Sequence, residues 1–190
     1  MKLAVAHQIT EKRYEPVYKR VLGDRFDLLP VAVRKLHLLG GNGGASGKAT
    51  VIRGGNPLAH LVGWIMRFPP AGEHALHVSF TERDGIEHWT RDFSGSRFTS
   101  HLSENDGKLT ERFGPLRFYF DLPSSAGGLE MTMRRWTVFG VPLPLALAPK
   151  SQAREWQDGD DFCFDVPITL PLIGLVVHYR GKLKLITQTS

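Results

Sequence analysis

From residue 74 onward the hydrophobic positions recur at every second residue. Leu76, Val78 and Phe80 alternate with His77, Ser79 and Thr81, and Leu116, Phe118, Phe120 and Leu122 share a face further along. Phe162, Phe164, Val166, Ile168 and Leu170 repeat the pattern, and Leu175, Val177, Tyr179, Leu183 and Leu185 fall together in the last segment. A period of two marks strands with one buried face. Asp84-Gly85, Ser94-Gly95, Asp106-Gly107 and Asp158-Gly159 punctuate the runs with turn chemistry suited to hairpins. Short connections between consecutive strands predict an antiparallel meander of about nine strands.

Before residue 68 the pattern is helical. Glu15-Pro16-Val17-Tyr18 opens one short helix, interrupted at Gly23-Asp24, and Pro30 opens a second that offers Val31, Val33, Leu36 and Leu39 for burial. Gly40-Gly41-Asn42-Gly43-Gly44-Ala45-Ser46-Gly47 reads as a cap followed by a flexible loop, and residues 48–53 as a strand. Asn56-Pro57 starts a third helix with an apolar stripe of Leu58, Leu61, Val62, Ile65 and Met66, stopped by Phe68-Pro69-Pro70-Ala71-Gly72. The expected fold is α+β, mainly β. It is a single domain over 1–190, with a helical part at about 14–67 and a sheet over about 74–187 plus the strand near 48–53. A sheet this wide curls or closes to manage its edges, which predicts a curved sheet or barrel against the early helices.

At 190 residues the chain suits one domain with a sizeable core, and 42% hydrophobic with 23% charged residues is ordinary for a globular protein. The net charge of +5 (pI ≈ 9.5) comes without a basic run or a nucleic-acid motif, so nucleic acid is not expected as a partner. The single cysteine, Cys163, leaves no internal disulfide and favours a reducing compartment. Residues 1–8 carry too short an apolar run for a signal peptide, and no stretch matches the roughly 18 apolar residues of a membrane span. A cytoplasmic protein is expected, with peripheral membrane contact compatible but not indicated.

Catalytic signatures are sparse. His74 and His77 would face opposite sides of a strand, and neither a helical His-x-x-x-His nor a cysteine pair occurs, so no metal site or cofactor is expected. The serines lack a Gly-x-Ser-x-Gly elbow, and the glycine run at 40–44 lacks the Lys-Ser/Thr of a phosphate loop. Asp92 beside Arg91 and Glu155 beside Arg154 read as strand charges. The most informative pattern pairs tryptophan with arginine at a spacing of two: Trp89 with Arg91, Arg134 with Trp136, and Arg154 with Trp156. That spacing places both members on one face. Arginine stacks on indole and grips acidic groups with a fork of donors. These six residues are the candidate ligand-binding set, lining or rimming a cavity in a curled sheet. The apolar, proline-punctuated loop at 139–149 reads as a plug, a lid, a partner surface or a membrane-dipping loop.

Several motifs occur together: Phe68-Pro69-Pro70-Ala71-Gly72, Trp89-Thr90-Arg91-Asp92-Phe93, Glu111-Arg112-Phe113-Gly114 and Arg134-Arg135-Trp136. They continue with Pro142-Leu143-Pro144, Leu147-Ala148-Pro149, Ala153-Arg154-Glu155-Trp156 and His178-Tyr179-Arg180-Gly181. Over about Tyr14 to Leu185 the chain resembles the bacterial family known as domain of unknown function 4166. The resemblance implies one intact domain. It also implies relatives fused to a saccharopine-dehydrogenase-like Rossmann domain, and hence an oxidoreductase partner; no Gly-x-Gly-x-x-Gly follows a strand in this chain. It assigns no catalytic residue. The leading expectation is a binding or accessory module for a small apolar or amphipathic anionic ligand. The alternatives are a domain that docks on a Rossmann-type oxidoreductase and an enzyme using a cavity carboxylate or histidine. The balance of signatures is against an enzyme.

Overall fold

The computed structural model describes residues 14–186. The reading of residues 1–8 and the last position of the predicted sheet, 187, lie outside them. Two helices lead the described residues, α1 (Val17–Leu22) and α2 (Val31–Leu38), joined through a 3-10 turn at Gly23–Leu28. Val33, Leu36 and His37 of α2 are buried, whereas Val31 is exposed. After β1 (Asn42–Arg53) comes α3 (Pro57–Ile65), where Asn56 caps the helix by accepting the Leu58 N–H at 2.9 Å.

The rest is strand: β2 (Gly72–Arg83), β3 (Ile86–Phe93), β4 (Ser96–Asn105), β5 (Lys108–Phe113) and β6 (Leu116–Asp121) form the predicted meander. Then follow β7 (Ser124–Ser125), β8 (Gly128–Glu130), β9 (Thr132–Val138), β10 (Val141–Pro142), β11 (Arg154–Asp158), β12 (Asp161–Leu170) and β13 (Gly174–Ile186). All pair antiparallel in a single sheet of 13 strands, ordered β10-β9-β6-β5-β4-β3-β2-β1-β13-β12-β11-β8-β7. The fold is therefore mainly antiparallel β with short N-terminal helices.

Three strand assignments differ from the sequence reading. The glycine run is not a loop, because β1 begins at Asn42 and takes the centre of the sheet between β2 and β13. Here glycine serves close approach: a Cβ on Gly47 would lie 1.9 Å from the Lys182 carbonyl oxygen, and one on Gly181 2.2 Å from that of Lys48. The run at 129–138 is two strands rather than one, and short strands at 124–125 and 141–142 bring the total to 13.

The split at 129–138 explains the shape. β8 pairs with β11 near one end of the strand order, through Arg154 opposite Glu130. β9 pairs with β6 near the other end, through Asp121 opposite Thr132. Only Met131 separates Glu130 from Thr132, so the two ends of the sheet stand one residue apart where the chain crosses. The sheet is rolled into a split barrel, with no ladder closing the seam and Met131 bonded across it to the Ala153 carbonyl at 3.0 Å. The predicted barrel is thus open, because that crossing takes the place of a final strand pairing.

Candidate functional site

The rolled sheet encloses a cavity of about 310 Å³, the small end of the range for ligand pockets. Side chains from β2 through β6 and from β9, β11, β12 and β13 reach it. Strands spaced about 4.8 Å apart could not share one cavity across that span unless the sheet were strongly curled. Alternation supplies the wall: Phe98, Phe113, Phe118, Phe120, Phe162 and Phe164 all point inward. Phe93 stacks on Phe98 at 5.8 Å, and Tyr179 meets both rings.

The two ends of this cavity differ in chemistry. Strand direction places the β2–β3, β4–β5 and β11–β12 turns at one end, with α1 and α2, because Arg20 bonds the Gly85 carbonyl and Gln157 accepts from Ala32 N–H. Tyr18 and Leu36 form the floor there. Below Tyr18 the imidazole of His37 stacks at 3.6 Å, and its Nε2 lies 2.7 Å from Glu155 Oε2. His37 is fully buried, and its Nδ1 has no hydrogen-bond partner among the described residues. Glu155 lines the cavity itself. Burial, reinforced by the charges of Glu155, Glu111 and Glu87, holds the Tyr18 phenol well above its ordinary pKa, so it is neutral. Burial likewise pushes Tyr179 up to about 12.

Arg91 is the cationic side chain of the wall. Its guanidinium sits 5.5 Å from the ring centroids of both Trp89 and Phe98 and donates to Ser100 Oγ at 3.0 Å. Glu111 forms an ion pair with it at 3.8 Å, longer than a hydrogen bond, so the fork keeps donors for another acceptor. Trp89 is anchored by its indole N–H on Glu87, at 2.7 Å. Glu87 also accepts the Val17 N–H at 2.7 Å and the Tyr14 hydroxyl, which fastens the start of α1 to β3.

At the opposite end α3 lies over the barrel, with Val62 and Met66 turned into the cavity. Arg53 fixes its exit by donating to the carbonyls of Phe68 and Pro69 at 3.3 and 3.2 Å. Gly63 faces that guanidinium, where a Cβ would stand 1.6 Å from it.

The six residues expected from the sequence divide evenly. Trp89, Arg91 and Trp136 line the cavity. Arg134 lies on the outside, bonded to Asp121 at 2.6 Å. In the β6–β9 ladder Tyr119 pairs Arg135 and Phe120 pairs Met133, so Arg134 is bulged out and the two-residue rule breaks between it and Trp136. Arg154 and Trp156 lie on the outer face of β11, Arg154 against Asp165 at 3.3 Å and Trp156 opposite Cys163. The residue between them, Glu155, takes the inward place. Sequence reasoning missed Tyr18, His37, Glu111 and Glu155. The usable signal was β11 parity: Ala153, two before Glu155, is buried and also lines the cavity.

The family model described as Domain of unknown function (DUF4166) matches residues 29–183. The chain belongs to that family. In this DUF4166 domain the matched span runs from Leu29 before α2 to Leu183 in β13 and takes in every wall of the cavity except Tyr18. No curated protein matches the chain. Among the described residues of the DUF4166 domain, no group of three or more His, Cys, Asp or Glu side chains could hold a metal, and no helix is long and apolar enough to cross a membrane.

Proposed function

We propose that this DUF4166 domain is a binding module that encloses one small amphipathic molecule, with its apolar body among the phenylalanines and its acceptor head on Arg91. The observation that carries the reading is the cavity's polarity: aromatic and aliphatic over nearly all its wall, with Arg91, Glu111, Glu155, Ser151 and two neutral tyrosines as the main polar groups. Apolar contact supplies affinity and a few placed polar groups set orientation, which is the usual division of labour in such pockets. Glu155 is met by His37, and Glu111 is ion-paired with Arg91 at 3.8 Å without hydrogen-bonding to it, so the Arg91 donors that Ser100 does not take are the ones to meet a carboxylate or similar head. Native mass spectrometry of the purified chain tests this. A bound organic mass that denaturation releases supports the reading; a bare chain that also takes up no added fatty acid sinks it.

A second reading rests on the hydrogen-bonded pair of His37 and Glu155 at the cavity floor, a geometry suited to general acid–base work. A panel of nitrophenyl acyl esters would test it. Turnover that disappears in His37→Asn favours catalysis, and rates equal to buffer count against it.

A further inference from the structure

The α3 end of the barrel carries an unusual concentration of exposed apolar side chains. Leu58, Leu61, Trp64 and Ile65 of α3 are 56, 51, 77 and 61% exposed, although the same helix turns Val62 and Met66 into the cavity. α3, with the sequence PLAHLVGWI, has no Asp, Glu, Lys or Arg, and the exposed His60 is its one polar side chain. Two hairpin tips at this end add bulky residues. Leu172, between β12 and β13, is 103% exposed, and Phe139, between β9 and β10, is 84% exposed.

The backbone at these tips is a second, independent sign. Leu172 and Phe139 adopt φ of 65° and 50°, a conformation that favours Gly, Asn or Asp. At the opposite end the equivalent places are held by Asp84 and Asp106. The two tips thus hold large apolar groups outward at a conformational cost that neither packing nor solvation offsets in the free protein.

Charge selects the occupant. The connections at 54–71, 114–115, 139–153 and 171–173 contain no Asp or Glu, while Arg67 and Lys150 within them and Arg117 at the start of β6 are exposed. Of the carboxylates on strand ends here, Asp92 is paired with Arg97 at 2.6 Å and Glu73 accepts the Thr50 hydroxyl, while Glu130 stands exposed opposite Arg154 at the start of β11. Both ends of the described chain depart from the opposite pole, since Tyr14 bonds Glu87 and Ile186 pairs with Gly44. The geometry points to the α3 end as a face that docks on the surface of an anionic lipid bilayer. Trp64, Phe139 and Leu172 enter the acyl boundary, and Arg67, Arg117 and Lys150 lie at the headgroups. A basic-flanked apolar face suits an anionic interface, where apolar burial and electrostatic attraction add. This inference goes beyond the cavity reading and does not depend on the cavity being filled.

Co-sedimentation of the full chain with vesicles of equal phosphatidylcholine and phosphatidylserine tests it. Saturable binding is expected, weaker on pure phosphatidylcholine and weaker as salt rises. The double variant Trp64→Ser, Leu172→Ser should bind at least about tenfold more weakly while keeping the parent's thermal midpoint, since both side chains touch mainly solvent. The pair Arg67→Glu, Lys150→Glu should remove the preference for phosphatidylserine. The inference is overturned if the parent stays in the supernatant with both vesicle types, or if the serine variant binds as well as the parent. It is also overturned if the same serine substitutions instead dissolve a dimer seen by analytical ultracentrifugation. Uptake of a soluble fatty-acid probe is measured without vesicles, so failure of docking and failure of the cavity reading are told apart.

Discussion

At the scale of single residues, Arg91 and Asp165 make opposite kinds of electrostatic contribution. Arg91 faces the cavity with a fork only partly engaged, so Arg91→Met should weaken a carboxylate-bearing probe about tenfold while sparing its methyl ester. A titration of both probes against both proteins reads the split, and equal losses for the two would remove Arg91 from the head-binding role. Asp165 is an outer-face hub. Burial opposes its ionisation, but the hydrogen bonds from His178 and Arg154 outweigh that and hold its carboxyl below the ordinary range. A depressed folded-state pKa gives stability that is present above the ordinary value of 3.8 and lost as pH falls through the lowered one. Asp165→Asn should therefore cost about 1 kcal/mol at neutral pH and flatten the acid limb of a stability curve. Tyr179 works at the other extreme. Its pKa, raised from 10.0 to about 12, gives stability that is complete below pH 10.0 and lost through about pH 12, which Tyr179→Phe should abolish as an alkaline transition.

At the scale of elements, the strands of the meander were legible and the exceptions have local causes. Asp84-Gly85 and Asp106-Gly107 announced their hairpins because both positions need the left-handed backbone those residues tolerate. The alternation of β6 and β12 named cavity walls directly. Parity failed at β9 and β11. In β9 a bulge at Arg134 restarts the alternation, and no local signature of residue type marks it. In β11 a tryptophan covers the outer face while a carboxylate turns inward, the reverse of what hydrophobicity alone selects. The glycines of β1 misled for a related reason: glycine marks both loops and strands that another backbone must approach closely. Gly47→Val tests that account, since its side chain meets the Lys182 backbone rather than a movable group; a loss of roughly 3 kcal/mol or more in denaturant unfolding is expected. A loss no larger than that of an exposed-strand substitution would contradict it. The helix α3 was legible as a helix, through Asn56-Pro57, but its stripe does not all point inward: Val62 and Met66 do, whereas Leu58, Leu61 and Ile65 face solvent.

At the scale of the whole molecule, the sheet has two differently finished ends. Aspartate turns, α1 and α2 close one, over a polar cavity floor; an uncharged helix and apolar hairpin tips cover the other. That polarity arises from which residues the topology brings to each pole, and the sequence order alone conceals it, because Tyr18, Arg91, Glu111 and Glu155 come from four separated segments. On the proposed binding function, the rolled sheet is hollow in order to hold an amphipathic molecule. Energy transfer to a dansyl-labelled fatty acid tests this in a chain carrying Trp64→Phe and Trp156→Phe, where the remaining donors, Trp89 and Trp136, both stand in the cavity wall. Saturable transfer at one probe per chain is expected, lost when Met133→Trp fills the cavity while the thermal midpoint is kept. Transfer that does not saturate, or that survives the filled cavity unchanged, would contradict it.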